Sequence, residues 1–470
     1  MTIHFPLPLE SIYDMIPFNF GDRRIDSRAN FMANMMIKNM GKTLPQTFIT
    51  PGDLKGAYRF LENNLVNPNK ILQPHIDETI IRCKDQEVVA VLQDSSDLDF
   101  DYMNCLEGFN PLHVHINKGF RIHPSLVITE QGTPLGILST TNYTRSKEEN
   151  ELPKKHRNSL PIEEKESGRW LFGYREACKL AEKLPDVQVI SIGDRESDIY
   201  EICLEAQLED TQCKKADVLI RSKHNRCLKD STDETEDKLE KKLIRCVVNN
   251  KGKIVVNKYR NDERTADVAI RACEVLIQAP NTCKKKSLPC IKMNAVLVSE
   301  VDPPEGIQPL HWMLLTTLPI NTAQEVQRIV LLYSKRWCIE IYFKVLKSGC
   351  KIDNTRFQNS KKIENYIAFA MIIAWKSMMI TYLPREYPNE PCTCLFTEIE
   401  WKLAYHKIKG QMPFPKKNPT LKEMVCWIAM LGGYKKRKDP PGIQTVWQGI
   451  IRLMDMVSGY ELTKKIILNH

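Results

Sequence analysis

Val88-Val89-Ala90-Val91-Leu92, followed by Gln93-Asp94, is an unbroken apolar run that stops abruptly at polar residues. A run this short and this uniformly apolar predicts a strand buried on both faces, at the centre of a sheet. Val187 to Ile192, mostly apolar, reads as another buried strand and is closed by Gly193-Asp194. Between them, His123 to Thr129 and Leu135 to Thr140 read as two strands. Glu130-Gln131-Gly132-Thr133-Pro134 supplies the turn of a hairpin. Arg169 to Leu184 has helical periodicity, and Asp217 to Arg221 reads as a further strand. Strand, hairpin, helix and strand in one unit predict a mixed α/β core.

Outward from that core the pattern changes. The first eighty residues read as helical. Asp26 or Ser27 is placed to cap a helix over Arg28 to Met40, with Gly41 ending it, and a second helix fits Asp53 to Asn63. Residues 145–166 are charged and read as an exposed loop. Lys253 to Tyr259, Ala266 to Ile277 and Ile291 to Glu300 fit no helical period, which predicts an antiparallel β insertion over about 225–315. Thr322 to Cys350 reads as one long helix. The chain beyond about 360 is helical, with a basic knot at Lys435-Lys436-Arg437-Lys438.

Composition bounds the function. The chain has 470 residues, 42% hydrophobic and 27% charged, which is globular and long enough for about two to four domains. A net charge of +9 tolerates an acidic partner without singling one out. The 15 cysteines are scattered, Cys392 and Cys394 being the only close pair. No spacing suits zinc, so reduced, mostly buried thiols in a cytoplasm are expected. Met1 to Pro6 lacks a signal-peptide pattern, and the most apolar stretch, Tyr366 to Trp375, is too short to span a bilayer. No phosphate-binding G-x-x-x-x-G-K-[ST] loop exists, which argues against an ATP-driven motor or any nucleotide cofactor.

Three acids stand where metal-assisted chemistry would need them. Asp94 and Asp194 follow the two buried runs, and Glu340 lies within the long helix. Oxygen ligands on rigid elements suit Mg²⁺ or Mn²⁺, and two such ions would support an in-line displacement at phosphorus. Asp97, Asp99 and Asp101 compete with Asp94 for the role, as Glu196 and Asp198 compete with Asp194. On a regular helix Tyr333, Arg336, Glu340, Lys344 and Lys347 share one stripe, opposite Leu332, Ile339, Tyr342, Val345 and Leu346. The plain alternative is a solvated face with an Arg336–Glu340 pair.

Tyr333-x-x-Arg336-x-x-x-Glu340-x-x-x-x-x-x-Lys347 resembles the signature of the IS-four family of bacterial insertion-sequence transposases. Further matching pieces occur in the same order. They are Gly21-Asp22-Arg23-Arg24, Gly56-Ala57-Tyr58-Arg59-Phe60, Gln93-Asp94-Ser95-Ser96, Glu164-Lys165-Glu166-Ser167-Gly168-Arg169-Trp170, Asp194-Arg195-Glu196-Ser197-Asp198, Arg221-Ser222-Lys223-His224, Pro309-Leu310-His311-Trp312 and Leu431-Gly432-Gly433. One departure is Ile341, where a relative has a second acid after the helix glutamate. The N-terminal segment is diverged, and beyond 350 the match is patchy.

The resemblance implies a ribonuclease-H-like catalytic core over 73–370 carrying the β insertion. It also implies a helical end-recognition domain over 1–72 and a helical dimerisation domain over 371–470. It implies that Asp94, Asp194 and Glu340 bind two Mg²⁺ ions, with Mn²⁺ able to substitute. Tyr333, Arg336 and Lys347 would contact phosphates near the scissile bond. Trp312 would stack on a flipped base, the alternative being a core tryptophan. Arg221, Lys223 and His224 would face DNA, and Arg23, Arg24 and Arg28 would recognise terminal inverted repeats. The implied partners are transposon ends, target DNA and a second copy of the chain, in a bacterial cytoplasm and with no membrane. The reaction is cut-and-paste transposition: nicking, hairpin formation, hairpin opening and strand transfer. The rivals are a catalytically inactive DNA-binding inhibitor on the same scaffold, and a nuclease or junction resolvase.

Overall fold

A computed structural model describes residues 18–102, 112, 118–144, 160–208, 214–229, 238–257, 263–280, 288–352, 355–357, 359–436 and 440–468. Most of the charged loop at 145–166, together with Arg437 and Lys438 of the basic knot, lies outside them. Both apolar runs are central strands, as their composition requires. β1 (Val88–Gln93) and β5 (Gln188–Gly193) pair in parallel from Val88↔Gln188 to Leu92↔Ile192. β5 pairs in parallel with β6 (Asp217–Arg221) on its other edge. β3 (Gly119–Thr129) lies antiparallel beside β1 and forms the predicted hairpin with β4 (Pro134–Tyr143). Strand alternation splits the side chains between two cores: Ala90, Leu92, Ile190 and Ile192 on one face, Val89, Val91 and Val189 on the other.

Two strands escaped sequence reading. β2 (Ser96–Asp99) is polar, but it continues the β1 edge along β3 in unchanged register, from Gln93↔Ser125 to Ser96↔Ile122. Asp94 therefore falls opposite Pro124, which has no N–H to donate, and the ladder opens there. The other is β10 (His311–Thr316), which pairs antiparallel with β6 and β9. It joins the expected β insertion to the core. β7 (Val248–Asn257), β8 (Glu263–Ile277) and β9 (Ile291–Glu300) are antiparallel as expected, but through β10 they extend the core sheet itself.

The N-terminal helices are α1 (Arg23–Lys38), α2 (Leu44–Thr47), α3 (Pro51–Glu62) and α4 (Pro68–Lys84). α1 begins five residues before the expected Arg28, because Asp22 and not Asp26 or Ser27 caps it, accepting from the Arg24 N–H. α5 (Gly168–Lys183) and α6 (Tyr200–Gln207) cover the Val89/Val91 face, and α7 (Leu239–Arg245) packs on the same core. The opposite face is covered by α8 (Ala323–Ser334), α9 (Trp337–Lys344) and α10 (Ser360–Glu386). The single long helix expected over Thr322 to Cys350 is thus broken. At Lys335, Arg336, Cys338 and Ile339 the amides bond three residues back, an overwound turn. Val345–Gly349 is an underwound π turn. The five residues assigned to the apolar side are all buried nonetheless.

α10 has 27 residues and is long and apolar enough to cross a membrane, more than the ten-residue stretch suggested, but it is almost wholly buried inside the protein. Phe18 packs on its Phe369, and its Asn365 side chain donates to the Leu61 carbonyl. The domain lines expected at 72 and 370 fall inside α4 and α10. No described cysteine is in a disulfide. Cys83, Cys203, Cys338, Cys350 and Cys392 are buried, Cys227 is exposed and the rest lie between, so thiol burial is less complete than expected.

The chain ends in α11 (Glu398–Lys409), α12 (Leu421–Leu431) and α13 (Ile443–Leu468). The backbones of α12 and α13 touch: a Cβ on Gly449 would lie 1.7 Å from the Ile428 carbonyl oxygen, and one on Gly432 would lie 1.9 Å from that of Thr445. Gly449→Ala is therefore expected to destabilise the fold by about 2–3 kcal/mol, as overpacking does. Gly459→Ala, in the same helix with open space around it, should stabilise by about 0.5–1 kcal/mol. Urea midpoints of the two variants check the contrast.

Candidate active site

Asp94 and Asp194 sit at the same level of neighbouring parallel strands, two residues beyond the last backbone pair, Leu92↔Ile192. Alternation puts them on the Leu92/Ile192 face, the one covered by α8 and α9. Each carboxylate is held by a nearby amide: Ser95 N–H donates to Asp94 Oδ1 at 2.7 Å, and Glu196 N–H donates to Asp194 Oδ1 at 2.7 Å. Asp194 thereby caps a 3₁₀ turn at Arg195–Ser197.

From the helices above, Arg336 reaches two of the three acids, Asp94 and Glu340. Its Nη1 donates to Asp94 Oδ2 at 3.1 Å and its Nη2 to Glu340 Oε1. The overwound turn sets this geometry by carrying Arg336 between α8 and α9, one turn before Glu340. Burial pushes the Asp94 carboxyl up to about 7; the Arg336 charge opposes the rise, and Asp194 and Glu340 add to it. The half-buried Asp94 thus feels two neighbouring acids against the Arg336 guanidinium.

The donor set is all oxygen, which suits a hard divalent cation. As the side chains stand, with Arg336 between Asp94 and Glu340, no three His, Cys, Asp or Glu groups among the described residues are close enough to hold one ion together.

Several other expected residues lie on the same face. Arg221 ends β6 and donates to the His311 carbonyl at 2.9 Å; its guanidinium also bonds the Tyr333 hydroxyl. Burial lowers the Arg221 pKa, and the nearby Arg195 and Arg336 charges lower it further, against Tyr333. Arg195 was not singled out in the sequence; it belongs to the same cationic group. Trp312, on β10, is half-buried with its ring edge-on to Tyr333 at 5.0 Å, neither the fully buried core residue nor a free one. Lys347 donates to the Asp97 carbonyl at 2.6 Å.

The competing acids have other partners. Asp97 binds Arg121 at 2.6 Å, and Glu196 binds Arg169 at 2.9 Å. Asp101 accepts from the Lys118 N–H, and Asp99 from the Asp101 N–H. Asp198 is fully buried and pairs with Arg226 while accepting from the Lys223 and His224 amides at 2.8 and 2.9 Å. It shapes the turn that leaves the Lys223 and His224 side chains exposed. Arg23, Arg24 and Arg28 stand apart on α1. Arg24 is exposed and pairs with Asp22, whereas Arg28 is tied to Asp53 at 3.3 Å. Its guanidinium lies where a side chain at Gly56 would be. No described contact joins α1 to the acids around Arg336.

Residues 179–375, which hold Asp194, Arg221, Trp312, Arg336 and Glu340, match the family described as Transposase DDE domain. The chain is a DDE-type DNA transposase. Asp94 lies outside the matched stretch. Residues 14–66 match Transposase DNA-binding, and residues 372–466 match Transposase Tn5 dimerisation domain. The transposase thus has the Tn5-like order of DNA-binding, catalytic and dimerisation parts, with a ribonuclease-H-like core and the divalent-metal dependence of the DDE family. The end of α13 exposes Leu462 and Ile466 within the matched dimerisation stretch, and Ile467 and Leu468 just past it.

Proposed function

We propose that this transposase is a member of the IS-four family, similar to the transposase of transposon five, and moves DNA by cut-and-paste transposition. The observation that carries the reading is the level pairing of Asp94 with Asp194 beneath Glu340, bridged by Arg336. Asp94, Asp194 and Glu340 would hold two Mg²⁺ ions, with Mn²⁺ as a substitute. Those ions would supply Lewis-acid stabilisation of the leaving oxygen and lower the pKa of an attacking water or 3′-hydroxyl. Arg336 would exchange its carboxylates for a phosphate, to which its planar fork is suited. Tyr333, Arg221 and Lys347 would hold the neighbouring backbone, with Lys223 and His224 on the flank. The parts are read as 1–72 for end recognition, 73–370 for catalysis and 371–470 for dimerisation. Two copies would pair two ends, in a bacterial cytoplasm.

Trp312 supports a hairpin route, because a half-buried indole beside the phosphate-binding side chains is placed to stack on an extrahelical base. Base stacking of this kind contributes about 1–3 kcal/mol. On a duplex carrying the inverted repeats that flank the reading frame, Trp312→Ala should accumulate nicked ends and form about tenfold fewer hairpins. Equal loss of nicks and hairpins would leave Trp312 a packing residue.

Recognition of the ends is assigned to Arg23, Arg24 and Arg28. Arg23→Ala and Arg24→Ala should each reduce the preference for the repeats over random duplex, by about 1–3 kcal/mol where the side chain reaches a base edge. Titration of both DNAs at several salt concentrations measures it, and equal loss on both would remove the assignment. An inactive inhibitor or a resolvase would be favoured by binding without Mg²⁺-dependent nicking, or by cleavage without end joining.

A further inference from the structure

The segment Glu166-Ser167-Gly168-Arg169-Trp170 has no part in the chemistry described so far, yet it reaches both strand ends. Arg169 begins α5, and its side chain is only 8% exposed. Its Nε donates to Ser95 Oγ at 2.8 Å, its Nη1 to the Glu166 carbonyl at 2.7 Å and its Nη2 to Glu196 Oε2 at 2.9 Å. Ser95 and Glu196 are the two residues whose backbone N–H groups hold the Asp94 and Asp194 carboxylates. One guanidinium therefore grips both carboxylate-holding turns just beyond the point where β1 and β5 cease to pair.

The surroundings fix the guanidinium in turn. A Cβ on Gly168 would lie 2.5 Å from the Ile162 carbonyl oxygen, so only glycine lets α5 start this close to the preceding turn. Trp170 packs edge-on against His123 at 4.5 Å, and the His123 Nδ1 shares the Ser95 hydroxyl at 2.9 Å.

We propose that Arg169 is a positioning residue that sets the separation and orientation of Asp94 and Asp194 through Ser95 and Glu196, and so sets divalent-metal affinity. The proposal rests on the reading of those two acids as metal ligands. Arginine is needed because its planar fork spreads donors over Nε, Nη1 and Nη2 to reach three separate acceptors, whereas the three donors of an ammonium share one nitrogen. Groups that orient metal ligands typically change affinity by about 10–100-fold when removed.

The test is Mn²⁺ binding to the full-length chain without DNA, followed by the paramagnetic signal of the free ion. Thermal melting and end-DNA binding without metal are measured alongside. Arg169→Gln and Arg169→Lys should both weaken Mn²⁺ about tenfold or more, with end binding and melting near wild type. Glu196→Ala cuts one arm and should weaken Mn²⁺ by a smaller factor. Adding it to Arg169→Gln should cost nothing further, since the two act through one bond. Wild-type Mn²⁺ affinity in Arg169→Gln overturns the proposal. If Arg169→Gln fails to fold, Glu196→Ala decides alone: a weakened affinity supports the proposal and an unchanged one overturns it. Asp194→Asn separates the two levels. If it binds Mn²⁺ like wild type, the metal-ligand reading falls and the proposal with it; if it loses Mn²⁺ while Arg169→Gln does not, only the proposal falls.

Discussion

Asp94→Ala, Asp194→Ala and Glu340→Ala are each expected to abolish Mg²⁺-dependent strand cleavage while leaving end-DNA binding within about twofold of wild type. Metal stabilisation of a phosphoryl-transfer transition state is worth several kcal/mol, so a loss of about 4 kcal/mol, or a thousandfold in rate, is the least expected. The three should not be equivalent without metal. Asp94 carries the raised pKa, near 7, because it is buried and faces two other acids. Removing Asp194 or Glu340 relieves that repulsion and should bring the Asp94 pKa down. A carboxyl infrared band or a carbon NMR titration of the metal-free protein reads that shift. Gel assays of nicking give the rate loss. Cleavage by Glu340→Ala above about one hundredth of wild type would remove Glu340 from the metal site and return it to a plain ion pair with Arg336.

Arg336→Ala is expected to separate metal binding from catalysis. In the structure the guanidinium occupies the space between Asp94 and Glu340. Without it, a divalent ion meets three acids and no competing cation, so Mn²⁺ should bind the free protein at least as tightly as in wild type. The phosphate loses its forked partner, and charge-assisted bonds aimed at a reacting group are worth about 100-fold or more in rate. Arg336→Lys should recover little of this, because an ammonium cannot make the paired contact. Weaker Mn²⁺ binding together with slower nicking would mean that Arg336 supports the acids and does not bind DNA. The alanine variants of the acids should thus lose metal affinity while that of Arg336 keeps it, a pattern that general loss of folding does not produce.

Much of the catalytic core was legible because burial leaves a compositional trace. Val88 to Leu92 is apolar at every position, and Val187 to Ile192 at all but Gln188 and Ser191, since both faces of each strand are covered. The acids that follow them were legible for the same reason, as the first charged positions past the buried run. The apolar positions of Thr322 to Cys350 were correctly placed inward even though the helix is broken, because each short segment keeps local helical spacing. The break itself left no trace, there being neither Gly nor Pro at 335–336. It exists to satisfy contacts with Asp94 and Glu340, which lie on other elements or further along the chain.

By itself, then, the sequence determined the class of fold, the order of its parts, and the few acids and cations from which a site could be built. These follow from local periodicity and side-chain chemistry. Only tertiary structure decided among equals. Asp198 and Asp194 lie four residues apart in one motif, yet Asp198 is sealed against Arg226 and two amides while Asp194 is half-buried and near enough to Asp94 to raise its pKa. Pro124 interrupts the ladder at Asp94 from thirty residues away, and β10 joins the outer strands to the core sheet. Such choices depend on which groups meet across strands and between helices. A side chain's partner at long range, unlike its own polarity, is not written at its own position in the chain.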